Sequence, residues 1–140
     1  MEVLGFELPD ELYYTDDHVW VRVEGGKVRM GLDSIGAKAI REVVRVKLRP
    51  VGSRLEKGKP FAILESAKWV GSLKSPVAGR VIEVNEKLKR EPYLVNQDPY
   101  GEGWMVVVEL EEALPIEELH HGEGLKEWAE KEVRERFKLV

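Results

Sequence analysis

The sequence predicts a mainly β fold, two antiparallel sheets with short helices and a single helix at the C-terminal end. Up to about residue 112, short runs of alternating apolar and polar residues are divided by glycine, proline and asparagine. From Glu123 onward the period changes. Leu125, Trp128, Ala129, Val133 and Phe137 recur at helical spacing among Lys, Glu and Arg, so residues 123–138 read as an amphipathic helix.

Val19, Val21 and Val23 alternate with Trp20, Arg22 and Glu24, and Gly25-Gly26 then turns into Val28-Arg-Met-Gly-Leu, which is a hairpin signal. Asp33 suits the N-cap of a short helix through Ile35, Ala37 and Ile40. Val43 to Leu48 alternates as a strand, and Pro50 stops it. Gly58-Lys-Pro60 leads into a second hairpin. Arg80 to Val84 continues as a strand, Asn85 to Arg90 suits one or two helical turns, and Trp104 to Leu110 makes another strand. Val44-Arg-Val-Lys and Val81-Ile-Glu-Val enter similar punctuation, a weak internal repeat. The C-terminal helix mixes both signs of charge on its polar face, as a packing helix does.

A length of 140 residues with 43% apolar content suits one domain, 1–140, with a real core. A formal charge of −4, with no basic block, argues against nucleic acid as a partner. There is no signal-peptide pattern and no apolar run near membrane-spanning length, so a cytoplasmic monomer with no membrane partner is expected. The absence of cysteine excludes disulfides, thiolate metal sites and a cysteine nucleophile. Any thiol chemistry therefore arrives on a cofactor. His120-His121 lack i, i+4 spacing and His18 stands alone in a strand-like stretch, so no metal site is expected. No nucleophile, base and orienter can be assembled, and no catalytic residue is assigned.

The most informative segment is Phe61-Ala-Ile-Leu-Glu-Ser-Ala-Lys68-Trp-Val-Gly-Ser-Leu-Lys-Ser-Pro-Val-Ala-Gly79, which places one lysine at the crest of a hairpin. An ordinary solvated charge, an amine nucleophile and an attachment point for a cofactor arm all remain open at Lys68. A nucleophilic lysine needs a depressed pKa and a pocket, and Glu65 nearby favours the charged amine instead. Attachment needs only exposure, a fixed turn and flanks that an attaching enzyme can read.

Leu64-Glu-Ser-Ala-Lys68 followed by Ser75-Pro-Val-Ala-Gly79-Arg-Val-Ile-Glu-Val-Asn85 resembles the lipoyl-lysine hairpin of the glycine cleavage system H-protein family. Tyr14-Thr-Asp-Asp-His18-Val-Trp20, Val28-Arg-Met-Gly31-Leu-Asp33, Leu55-Glu-Lys-Gly58-Lys-Pro-Phe61 and Leu94-Val-Asn-Gln-Asp98-Pro-Tyr-Gly-Glu-Gly103-Trp104 are similar to further segments of that family, in the family's order. The resemblance covers roughly residues 13 to 119. It implies a lipoyl/biotinyl-type barrel-sandwich hybrid that carries lipoate covalently on Lys68, with Glu65 and Gly79 fixing the hairpin. Gly79 is the glycine eleven residues on that such domains share at a turn. Ala67 and Trp69 stand where a biotinyl domain has methionines, which argues against biotin. Lysine plus lipoyl chain reaches about 12 to 15 Å at ordinary bond lengths.

The implied partners are a lipoate-attaching enzyme, glycine decarboxylase, aminomethyltransferase and lipoyl dehydrogenase. Several positions depart from the family pattern. Val19 stands where a carboxylate would face the amine cargo, Ser72 stands four residues past the lysine where aspartate is common, and Trp69 and Val70 add bulk. Asp17 offers a substitute carboxylate. Asp17, Val19, Ile35, Trp69 and Ser72 are thus the expected arm-cleft positions. Lys47 and Arg49 are basic where the family's strand is often acidic. Asn96, Asp98, Tyr100 and Trp104 are expected to fix turns and a strand across the barrel from the lysine. The departures keep a second carrier reading open, an H-like lipoate-binding protein that passes sulfur intermediates to a heterodisulfide-reductase-like complex. An unmodified interaction module is the reading from another class.

Overall fold

The computed structural model describes residues 1–140. Glu2–Val3 (β1) and Phe6–Glu7 (β2) pair about a turn at Leu4 and Gly5, both at positive φ, 51° and 88°. Tight two-residue hairpin turns of this kind usually carry Asn-Gly or Asp-Gly, so Leu-Gly gave no sequence signal. Tyr13–Tyr14 (β3), Val19–Glu24 (β4) and Lys27–Leu32 (β5) follow, then a helix Ser34–Ile40 (α1). Asp33 caps α1 as expected, its Oδ1 accepting from Gly36 N at 2.8 Å.

Val43–Leu48 (β6), Arg54–Leu55 (β7), Pro60–Ser66 (β8), Val70–Lys74 (β9) and Gly79–Val84 (β10) come next. A 3₁₀ turn at Glu86–Lys89, capped by Asn85, fulfils the helical turns expected after β10. Leu94–Gln97 (α2), Val106–Leu110 (β11) and a 3₁₀ turn at Ile116–Glu118 lead to Leu125–Lys131 (α3), which continues as a π turn over Glu132–Arg136. The helix expected over 123–138 therefore covers 125–136, and its last turn is wider than an α-turn.

All strand pairs are antiparallel. The order is β3-β4-β5-β11-β10-β7 in a six-stranded sheet and β6-β8-β9 in a three-stranded sheet. The main core lies between them, with Val19, Val21, Met30, Leu64, Leu73, Val81, Val106 and Val108 among its buried members. A second cluster lies on the other side of β4, where Trp20 and Ile35 meet Leu125, Ala129 and Val133 of the C-terminal helix. This double burial explains why Val19, Trp20 and Val21 are all at 0% exposure in one strand.

Gly79 opens β10 between Leu55 and Leu110, in extended backbone rather than at the turn expected of it. Its requirement is steric, since a Cβ there would stand 2.2 Å from the Glu109 carbonyl oxygen. Gly79→Ala is expected to lower stability by about 1–3 kcal/mol through forced separation of β10 from β11, read as a drop in thermal midpoint.

Candidate functional site

The hairpin between β8 and β9 closes on two exposed residues, Ala67 and Lys68, with Ser66 N donating to Trp69 O at 2.8 Å. Neither loop residue has a positive φ. The turn is held by a side chain instead. The buried Ser66 Oγ accepts from Trp69 N at 3.0 Å and Lys68 N at 3.3 Å, and donates to Trp69 O at 3.3 Å. A serine hydroxyl thus takes the place of the backbone carbonyl that would otherwise receive the Trp69 N–H. Sequence reasoning passed over Ser66, although a serine at the corner of a tight turn is itself a signal. Ser66→Ala is expected to raise amide exchange at Lys68 and Trp69 about fivefold, the value of one side-chain hydrogen bond.

Lys68 is exposed and forms no ion pair. It lines a groove of about 1160 Å³. One wall is the α1 segment from Ser34 to Glu42 and another runs from Tyr93 to Tyr100. Phe6, Glu7 and Phe137 to Leu139 complete it. Tyr100 Oη donates to Glu7 O at 2.7 Å and accepts from Ser34 N at 2.9 Å. Asn96 ties β6 to the end of α1, accepting from Val43 N at 2.9 Å and donating to Arg41 O at 2.8 Å. Asn96 and Tyr100 do fix turns, but they stand in the groove with Lys68 rather than across the barrel from it.

The five positions expected to line the arm cleft are placed elsewhere. Asp17 is exposed in the turn before β4 and borders a separate hollow of about 220 Å³ with Lys57 and Lys74. Val19 and Ile35 are fully buried in the two cores. Trp69 lies over Gly71, where a Cβ would stand 2.2 Å from its ring. Ser72 is exposed in β9 opposite Ile63. Glu65 pairs with Val70 at the base of the tip and faces Arg45 Nε at 3.7 Å. The groove escaped sequence reasoning because its walls come from four segments far apart in the chain.

His18 is neither in a strand nor alone. It ends the turn before β4 at φ 68°, a region where histidine is among the more tolerated residues. Its side chain is 2% exposed, with Nδ1 2.8 Å from Asp33 Oδ2 and Nε2 2.6 Å from Glu132 Oε1. Each ring nitrogen faces a carboxylate oxygen, an arrangement that the doubly protonated imidazolium satisfies. Burial opposes that charge, but Asp33 and then Glu132 outweigh it and raise the His18 pKa above its ordinary value. Trp128 stacks on the His18 ring at 4.9 Å, and Phe137 leans on it at 5.3 Å. His18 thus fastens the C-terminal helix to the sheet. Beyond it Lys138 turns at φ 51°, and Leu139 N closes on Val133 O at 2.7 Å, bringing the tail to the groove.

The model of the glycine cleavage H-protein family matches residues 12–132. The chain belongs to that family. It is 43% identical to the glycine cleavage system H protein of Halalkalibacterium halodurans, over 89% of this chain and 98% of the relative. Against the glycine cleavage system H protein 3 of Aquifex aeolicus it is 40% identical, over 96% of this chain and 87% of the relative. Its fold is similar to the crystal structure of a glycine cleavage system H protein from Mycobacterium marinum, with a TM-score of 0.78 and 30% identity over 87% of this chain and 98% of that one. Membership in the H-protein family supports the lipoyl-carrier role. The sulfur-carrying alternative finds no support among these relatives. Two walls of the groove, Phe6-Glu7 and Phe137 to Leu139, lie outside the residues that the H-protein model matches.

Proposed function

We propose that this chain is a non-catalytic lipoyl carrier, one H-protein-type domain over residues 1–140, with lipoate in amide linkage to Lys68. It shuttles the aminomethyl group of glycine between a glycine decarboxylase and an aminomethyltransferase, and a lipoyl dehydrogenase restores it. The observation that carries this reading is a free amine on a two-residue turn locked by Ser66, at the mouth of a groove, in a chain of the H-protein family.

The residues fit the group. The Lys68 amine has no competing carboxylate, so acylation breaks no ion pair. β8 and β9 keep the tip fixed on the sheet while the lysine side chain moves, and tethering replaces free diffusion with a high local concentration. When bound, lipoate supplies a dithiol/disulfide pair in a chain that has no cysteine. Phe6, Tyr93, Tyr100, Phe137 and Leu139 give the open groove apolar surface along which a lipoyl chain can lie. Glu7 and Glu42 are the groove's carboxylates, set among the cations Lys38, Arg41 and Lys138.

Intact-mass measurement after treatment with a lipoate-attaching enzyme, and then with glycine and a glycine decarboxylase, tests the reading. The expected result is one lipoyl addition followed by one glycine-derived addition. Lipoylation without the second addition removes the aminomethyl assignment, and no addition at all removes the carrier reading.

A further inference from the structure

The outer face of the three-stranded sheet differs in character from the rest of the molecule. Register places Arg45, Glu65 and Val70 in one row across β6, β8 and β9, and Lys47, Ile63 and Ser72 in the next. Lys74 continues the exposed side of β9, and Arg49 follows β6. Ile63 is 46% exposed and Val70 68%, and Val44 joins them at the bulge in β6, 56% exposed. Trp69 adds a partly exposed indole at the tip. Arg45, Lys47 and Lys74 stand against the single anion Glu65, on a chain whose net charge is −4. Lys47, Arg49 and Lys74 have no carboxylate partner.

We propose that this face is the docking surface for the enzyme that loads the arm, and that the matching enzyme surface is an apolar hollow ringed by carboxylates. The proposal rests on the carrier reading above. Ile63 and Val70 form the apolar centre, and the cations form the rim that steers encounter. The face is continuous with Lys68, so a partner seated on it receives an arm that is already tethered within reach. A second copy of this chain is a poor occupant, because a two-fold contact sets net positive charge on net positive charge. A nucleic acid is a poor occupant too, since the chain as a whole carries a net charge of −4 and the centre of the face is Ile63 and Val70, which offer nothing to phosphates.

The test uses lipoylated wild-type chain, the triple variant Arg45→Glu/Lys47→Glu/Arg49→Glu and the double variant Ile63→Ser/Val70→Ser, each verified by mass. KM and kcat for loading from glycine are measured with glycine decarboxylase between about 20 and 300 mM salt. The expected result is a KM about tenfold higher for the triple variant at low salt with kcat unchanged, the signature of lost steering. Wild-type KM should rise with salt, and the triple variant should lose most of that dependence. The double variant should raise KM at every salt concentration. All substituted side chains are at least partly exposed, and thermal midpoints near wild type show that the folds are intact. Wild-type KM in both variants at all salt concentrations overturns the docking face and leaves the carrier reading standing. A lipoylated wild type that is never loaded overturns the docking face together with the aminomethyl assignment, and leaves the lipoyl carrier itself standing. Concentration-dependent dimers, or oligonucleotide binding lost in the triple variant, would reassign the face.

Discussion

Lys68→Arg is expected to leave the fold unchanged and to abolish lipoyl attachment, with no mass gain under conditions that fully modify the wild type. Arginine keeps the charge and most of the length of lysine, and neither residue's neighbours at the tip are disturbed. A guanidinium, however, stays protonated and offers no amine to acylate. Glycine-dependent turnover with the partner enzymes should then fall about 10²- to 10⁴-fold, to what untethered lipoate supports, because the tether's effective concentration is lost. Mass spectrometry and a coupled glycine assay on the same preparations check both halves. Lipoyl addition to the arginine variant would move the attachment point to another lysine.

His18→Ala should be the most damaging single substitution for stability. It strips the imidazolium from the fully buried Asp33 carboxylate, while half-buried Glu132 keeps Arg136 Nη1 at 2.8 Å, a loss of about 3–5 kcal/mol for breaking a buried ion pair. At the scale of this chain that is about 10–17 °C in thermal midpoint. The loss should be partly recovered in His18→Ala/Asp33→Asn, which removes the stranded buried charge and keeps a capping oxygen for Gly36 N. The wild type should also show a pH signature. Its folded-state His18 pKa is raised above the ordinary 6.5, so the stabilising charge is fully present below pH 6.5 and is lost as pH rises through the folded value. Melting curves taken from about pH 6 to 9 should decline through that window in the wild type and stay flatter in the variant. Equal slopes in the two would remove the imidazolium from its assigned place.

The local features of this molecule were legible in the sequence because local chemistry makes them. Gly25-Gly26 turns β4 into β5, Asp33 caps α1, and Lys68 stands on its hairpin, each decided by a few neighbouring residues. The family resemblance, spread over several short motifs, added the carrier role. What the sequence hid are the couplings at long range. His18 looked isolated because one of its partners lies 114 residues away. The groove could not be read because Phe6, Ser34, Tyr93 and Phe137 share no pattern along the chain. The resemblance set Val19 at a cleft, whereas β4 is buried on both faces and its valine faces a core.

The groove also has a position in time. During synthesis both strands of the β8–β9 hairpin exist once Lys74 has been made, whereas the wall at Phe137 to Leu139 awaits about 65 further residues. At 5–20 residues per second that interval is roughly 3–13 s. A nascent chain therefore carries Lys68 and the walls at Phe6-Glu7 and Ser34 to Glu42 before the walls at Tyr93 to Tyr100 and Phe137 to Leu139 exist, and the groove closes in the order in which the ribosome delivers its parts.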